Sequence, residues 1–311
     1  MKTFRPAHAR TTKAARASLL AVVIALVASQ FVVAQDKTKA HGDKTATAAA
    51  AQTPALKRTS TRKETRKLGY GGALTLYGAP NGSITVEGWT KSEVEIIADV
   101  EINANTEEEL TQLAAVNSFV LDEDLNHLRI VTVGTHDRKY MKSKARNFPK
   151  KLLALPWKID YHVRVPAMID LEIYGGRGGV QIAGVEGSIR LNAGEGATEL
   201  TLTGGDVEAT LEGGPVRLHV PSRNWRGRGL SLRLASGDLT VELPSNYSGD
   251  INADILRTGR IENTLPGLAP RERTQATERS LQARMSNGGA TLSFTVGDGT
   301  LRIKPETPAD N

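Results

Sequence analysis

The chain has 311 residues, 39% hydrophobic and only 5% aromatic, with 30 glycines and no cysteine. The missing cysteine excludes disulfides, thiol nucleophiles and cysteine-based zinc sites. The net charge of +6 overstates the basic character, because five of those charges lie in the first 34 residues. Residues 36–68 carry +6 and residues 136–158 carry +7, which leaves −12 on the remainder. An acidic body with two basic segments is not the footprint of a nucleic-acid-binding domain.

The N-terminus reads as an export signal over residues 1–34. Lys2, Arg5, Arg10, Lys13 and Arg16 precede a mostly apolar run over residues 18–34, and Val32 and Ala34 suit cleavage after Ala34. The alternative is an uncleaved anchor, for which the run is at the short limit of a spanning helix. No cysteine follows the run, which excludes a lipoprotein anchor. Residues 35–67 are rich in Lys, Thr and Ala without an apolar period, and are expected to be a disordered tether.

Ordered β-structure is predicted from residue 68 to residue 305, with a polar tail at 306–311. Ala73, Leu74, Thr75, Leu76 and Tyr77 read as a strand, and Asn81-Gly82 as a turn. Val94, Ile96, Ala98 and Val100 alternate as another strand. One short helix is expected near 106–118, capped by Asn105 or Thr106, with Glu107, Glu108 and Glu109 at its positive end. Strand resumes at residues 119–121 and 128–133. A basic insertion near 134–158 follows, a long loop or short helix holding Arg138, Lys139, Lys142, Lys144, Arg146, Lys150 and Lys151 beside Tyr140, Phe148 and Trp157.

From Gly178 a nine-residue period runs through Gly187, Gly196, Gly205 and Gly214. Apolar residues fall two, four and six positions after most of these glycines, for example Val207, Ala209 and Leu211 after Gly205. The register returns at Arg228, Gly237, Ala290 and Gly299, after insertions around Asn224-Trp225 and over roughly 257–288. Each unit is a short strand and a glycine corner. One such strand cannot bury its apolar face alone, but stacked copies share a core. The expected fold class is therefore all-β, a β-solenoid or stacked β-sheet with one short inserted helix. If two units form one coil, Arg190 stacks on Glu208 and Glu199 on Arg217; direct stacking of neighbouring units would set Glu199 against Glu208. An antiparallel meander is the competing arrangement.

Gly82-Ser83-Ile84-Thr85-Val86-Glu87-Gly88-Trp89, Tyr161-His162-Val163-Arg164-Val165-Pro166, Gly187-Ser188-Ile189-Arg190-Leu191 and Ser236-Gly237-Asp238-Leu239-Thr240-Val241-Glu242-Leu243-Pro244, with the Gly299 to Ile303 ending, resemble a bacterial family of exported putative adhesins over residues 70–304. The resemblance implies a β-solenoid-like fold and an adhesion-type role.

Catalytic signatures are sparse. His127, His136, His162 and His219 lie far apart, without metal-ligand spacing. Gly204-Gly205-Asp206 and Gly213-Gly214-Pro215 lack the recurring aspartate of calcium-binding nonapeptides. No cofactor or metal is expected. Asp238 and Glu242, with Arg233, are the one carboxylate group that suits a polysaccharide lyase or hydrolase on a β-helix. The leading expectation is a non-enzymatic exported adhesin or envelope scaffold, located in the periplasm, at the cell surface or outside the cell. Two surfaces are candidate ligand sites: Arg223, Trp225, Arg226 and Arg228, an aromatic among arginines, and the basic segment 138–151. The partners expected are a surface glycan, an anionic envelope component or another envelope protein.

Overall fold

A computed structural model describes residues 54–272 and 274–306. The export signal at 1–34, the first part of the expected tether and the tail from residue 307 lie outside the described residues. No helix among the described residues is long and apolar enough to cross a membrane.

The chain first forms β1 (Leu56–Lys67), β2 (Ala73–Tyr77), β3 (Ile84–Trp89), β4 (Glu93–Ala104), α1 (Glu107–Ala114), β5 (Ser118–Asp124) and β6 (His127–Val133). After α2 (Arg138–Lys144) and a 3-10 turn at Lys150–Ala154 come β7 (Trp157–Pro166), β8 (Asp170–Gly175), β9 (Val180–Ala183), β10 (Ser188–Glu195), β11 (Thr198–Thr201), β12 (Gly204–Gly213) and β13 (Val216–His219). The rest is β14 (Arg226–Ser236), β15 (Leu239–Leu243), β16 (Gly249–Thr258), β17 (Ile261–Asn263), β18 (Ala269–Pro270), β19 (Ser280–Met285), β20 (Thr291–Asp298) and β21 (Leu301–Pro305).

These strands make two large mixed sheets. One has ten strands in the order β1-β4-β7-β3-β9-β11-β13-β15-β21-β17; the other has eleven, β18-β19-β16-β20-β14-β12-β10-β8-β2-β6-β5. From β8 to β15 the chain crosses from one sheet to the other at every corner, so each strand pairs in parallel with the strand two further on. Ile189 lies opposite Val207, and Thr198 opposite Val216. The sequence offset is 18 residues as far as β13, the offset spanned by the side-chain hydrogen bond from Gln181 to Glu199, and 23 across the Asn224-Trp225 insertion. Arg190 is accordingly opposite Glu208, and Glu199 opposite Arg217, as the two-unit arrangement requires.

The register turns the nine-residue pattern into buried columns. Leu128, Leu74, Leu171, Ile189, Val207, Leu230 and Leu292 follow one another across the eleven-stranded sheet. All are 4% exposed or less and belong to one buried cluster. Thr198, the weak apolar member of its unit, is buried in line with Val180 and Val216. At the corners the backbone itself is the packing surface. Gly214 has φ 107° and Gly237 φ 135°. A Cβ on Gly214 would fall 2.2 Å from the Gly196 carbonyl oxygen, and one on Gly237 would fall 2.1 Å from that of Gly214. Only glycine meets both demands.

Three expectations change. Residues 56–67 are not tether but β1, paired antiparallel with β4 along its length. Its alternation is of charge rather than of apolar residues: Lys57 meets Glu101 at 2.8 Å, Lys63 meets Glu95, and Arg66 reaches Glu123. Arg62 also lies over the Phe119 ring, 4.2 Å from its centroid. The basic insertion, expected as a long loop or short helix, takes the helical form in α2, so the described residues hold two α-helices rather than one. Residues 257–288 are not simply outside the stack either, because β17 lies parallel to β21 and β19 antiparallel to β16, extending both sheets. The last pair of strands in sequence, β20 and β21, is thereby slotted between β14–β15 and β16–β17.

Gly237→Ala is expected to cost ~2 kcal/mol or more, since it combines an unfavourable φ with a backbone clash. Gly69→Ala, where a Cβ meets nothing within 4 Å, should stay within ~0.5 kcal/mol of the parent. Urea unfolding followed by circular dichroism compares the two; equal midpoints would contradict the corner packing.

Candidate functional site

The basic insertion is the corner that joins β6 of one sheet to β7 of the other, near one end of the stack. Elsewhere such corners take a few residues, and here the chain leaves the ladder for residues 134–156. Asp137 caps α2, accepting from the backbone N–H groups of Lys139 at 2.8 Å and Tyr140 at 3.0 Å. Met141, Leu152 and Trp157 are buried beneath it, and Phe148 packs partly against the core. His136 leans on Trp157 with ring centroids 5.4 Å apart. Burial holds its imidazole below the ordinary range, against the opposing charge of Asp137.

The seven predicted cations of this segment divide sharply. Lys151 is tied to Glu109 of α1 at 2.7 Å. Arg138, Lys139, Lys142, Lys144, Arg146 and Lys150 are exposed and have no ion pair among the described residues. Four of these, Arg138, Lys142, Arg146 and Lys150, surround a groove of about 630 Å³ whose floor includes Met141, Phe148 and Leu153. The cations were legible in the sequence. The apolar floor was not, because it forms only when α2 and the 3-10 turn fold beside each other.

The second candidate surface is not an open aromatic site. Trp225 is 6% exposed, and its indole N–H donates to the Gly205 carbonyl at 3.0 Å. Its ring fills the space between turns and is not available to stack on a sugar. Arg226 pairs with Glu186 and donates to the Thr203 hydroxyl at 3.0 Å; Arg228 lies 3.4 Å from Asp206. Arg223 is exposed without a side-chain partner among the described residues. The expected four-residue site therefore resolves into a core tryptophan, two paired arginines and one uncommitted arginine.

The carboxylates also separate. Arg233 lies on β14 in the eleven-stranded sheet, 3.3 Å from Glu208, whereas Asp238 and Glu242 adjoin β15 in the other sheet. Glu242 is 2% exposed, with Arg217 at 2.8 Å and Lys304 at 3.0 Å. Burial opposes its ionisation, but hydrogen bonds from Arg217 and then Lys304 outweigh this and hold its carboxyl below the ordinary range. The Thr300 backbone N–H and then Arg302, each 2.9 Å away, lower Asp238 likewise. A general acid at neutral pH needs a raised carboxyl pKa, and both carboxyls are displaced in the other direction. His219 meets Glu306 at 2.9 Å, and His162 meets Glu87 at 3.2 Å, on separate parts of the sheet.

A further exposed feature is the stacked pair Tyr77 and Tyr174. Its signal was present: Leu76-Tyr77-Gly78 and Ile173-Tyr174-Gly175 repeat an apolar-Tyr-Gly strand ending.

Trp225→Ala is expected to behave as a core truncation, costing about 3–5 kcal/mol, with a lowered denaturation midpoint as the readout. The paired carboxylates predict acid sensitivity of definite sign. Their folded pKa values lie below the ordinary carboxylate value of about 4, so their contribution is present above that pH and is lost as the pH falls through the lower folded values. An Asp238→Asn, Glu242→Gln variant should be less stable than the parent at pH 7 and lose less stability on acidification. A parallel pH profile for the two proteins would contradict this.

No family model matches the chain, and no curated protein matches it by sequence. Among solved structures it is similar to a putative cell adhesion protein from Clostridium sporogenes, at 14% identity over 79% of this chain and 100% of that one, with a TM-score of 0.44. It is also similar to a putative adhesin from Bacteroides fragilis, at 13% identity over 79% and 97% of the two chains, with a TM-score of 0.30. A third is a putative lipid binding protein from Parabacteroides distasonis, at 10% identity over 80% and 97%, with a TM-score of 0.25.

Proposed function

We propose that this chain is an exported, non-catalytic binding protein of the cell envelope, adhesive or scaffolding in role, whose β-solenoid carries a cationic insertion to a phosphate-bearing amphiphile of the envelope. Parallel pairing at an offset of 18 residues, with strands alternating between two sheets, supports the solenoid reading. The basic start and apolar run of residues 1–34 support export.

The observation that carries the binding role is the groove over Met141, Phe148 and Leu153, ringed by Arg138, Lys142, Arg146 and Lys150. Cations elsewhere on the molecule are commonly answered by an acid on a neighbouring strand, as Lys57, Arg217 and Arg257 are. The four cations around this groove repel one another and have no ion-pair partner among the described residues. Phosphate groups supply it, and guanidinium groups at the rim match phosphate oxygens in a two-pronged geometry. The apolar floor suits the chain portion of the same amphiphile.

Sedimentation with vesicles of phosphatidylglycerol and phosphatidylethanolamine tests this reading against vesicles of phosphatidylcholine alone. Binding is expected only to the anionic vesicles and should weaken with added salt. Each cation near an anionic surface contributes about 1 kcal/mol. Replacing Arg138, Lys142, Arg146 and Lys150 together by Gln should therefore weaken binding by at least roughly 100-fold. Equal binding to both vesicle types, or by parent and variant, would refute it.

A further inference from the structure

The body of the stack carries a second uncommitted surface, built by different elements from the insertion. Tyr77 ends β2 and Tyr174 lies near the end of β8, and the parallel register sets them opposite each other. Their rings are 4.9 Å apart and within 4° of parallel, with the residues 41% and 36% exposed. The Tyr174 hydroxyl donates to Glu172 at 2.8 Å, which holds its ring in place.

The same row of the sheet continues from Tyr174 to Asn192 and then Thr210. Two rings are followed by two short polar side chains. Tyr77 covers one face of Tyr174, and the other face looks along the row into a groove of about 600 Å³. Arg177 and Glu212 stand at its sides, and glycines at the corner, Gly176 and Gly194, leave that wall without side chains. The side chains of Arg177, Asn192, Thr210 and Glu212 have no hydrogen-bond or ion-pair partner among the described residues. This contrasts with the groove at Glu242, where the charged groups are tied to one another.

We propose that this groove is a carbohydrate-binding site for a neutral pyranose glycan, with one sugar ring stacked on the free face of Tyr174. A pyranose ring offers a C–H face whose partial positive charge meets the negative π face of an aromatic ring. Its hydroxyls both donate and accept, as do Asn192 and Thr210, while Arg177 only donates and Glu212 only accepts. One cation and one anion cancel, so the groove does not select an ion. A flat aromatic ligand would use the tyrosine and leave the four polar side chains unanswered.

The full-length protein, titrated with neutral tetrasaccharides of β-1,4-linked glucose, β-1,4-linked N-acetylglucosamine and α-linked mannose, tests the proposal by calorimetry and saturation-transfer NMR. At least one should bind, with transfer strongest to the ring C–H protons. Tyr174→Ala should weaken that binding at least roughly tenfold, whereas Tyr174→Phe, which keeps the π face, should stay within about threefold. Asn192→Ala should weaken it with an unchanged denaturation midpoint, since the side chain is exposed. The proposal is overturned if none of the three binds, if Tyr174→Ala binds as the parent does, or if p-nitrophenol binds more tightly than every sugar.

Discussion

At the corners of this stack, backbone packs directly on backbone. Gly178 backs onto the carbonyl oxygen of Gly82, Gly196 onto Gly178, Gly214 onto Gly196, Gly237 onto Gly214 and Gly299 onto Gly237. A Cβ at any of them would lie between 1.9 and 2.2 Å from that oxygen. This approach lets successive turns sit at strand-pairing distance around the corner as well as along the sheets. It also keeps the inward residues of every turn at the same height, which is why Val180, Thr198, Val216 and Leu239 form one buried column. Loosening one corner would shift that column and the ladder hydrogen bonds together.

Parallel stacking imposes a second condition on the outer faces. Residues of equal register stand side by side, so like charges would repel along whole rows. The molecule meets this by alternation and pairing. Gln181 donates to Glu199, Glu199 faces Arg217, and Arg217 shares Glu242 with Lys304. Against that background, uncommitted polar groups are informative. Six of the seven cations of the insertion lack an ion-pair partner among the described residues, Lys151 being the exception, because the chain has left the ladder there. In the row from Tyr174 to Thr210, the side chains of Asn192 and Thr210 likewise have no hydrogen-bond partner among the described residues.

Much of the stack was legible in the residues. Glycine spacing located the corners, and alternation located the inward positions, because both follow from local geometry with a fixed period. Thr198 shows that one polar member does not break such a column. β1 escaped because its alternation is of Lys, Arg and Thr against Glu95 and Glu101 on a strand some forty residues away. Apolar periodicity does not register that kind of complementarity. The burial of Trp225 is hard to read from the residues for a related reason. An aromatic between arginines looks exposed in one dimension, whereas its burial depends on the Gly205 turn that receives its N–H.

The sequence by itself determined the strand class, the nine-residue spacing of the glycines, a capped helix beginning after Thr106 and the cationic character of residues 136–158, since each depends on neighbours within a few positions. Only the tertiary structure decided which charges are spent and which remain. It joined Asp238 and Glu242 to cations, separated them from Arg233, gave the basic segment an apolar floor and brought Tyr77 against Tyr174 across 97 residues of chain. The physical reason is that strand pairing is non-local: register sets which side chains meet, and register is settled by the whole stack.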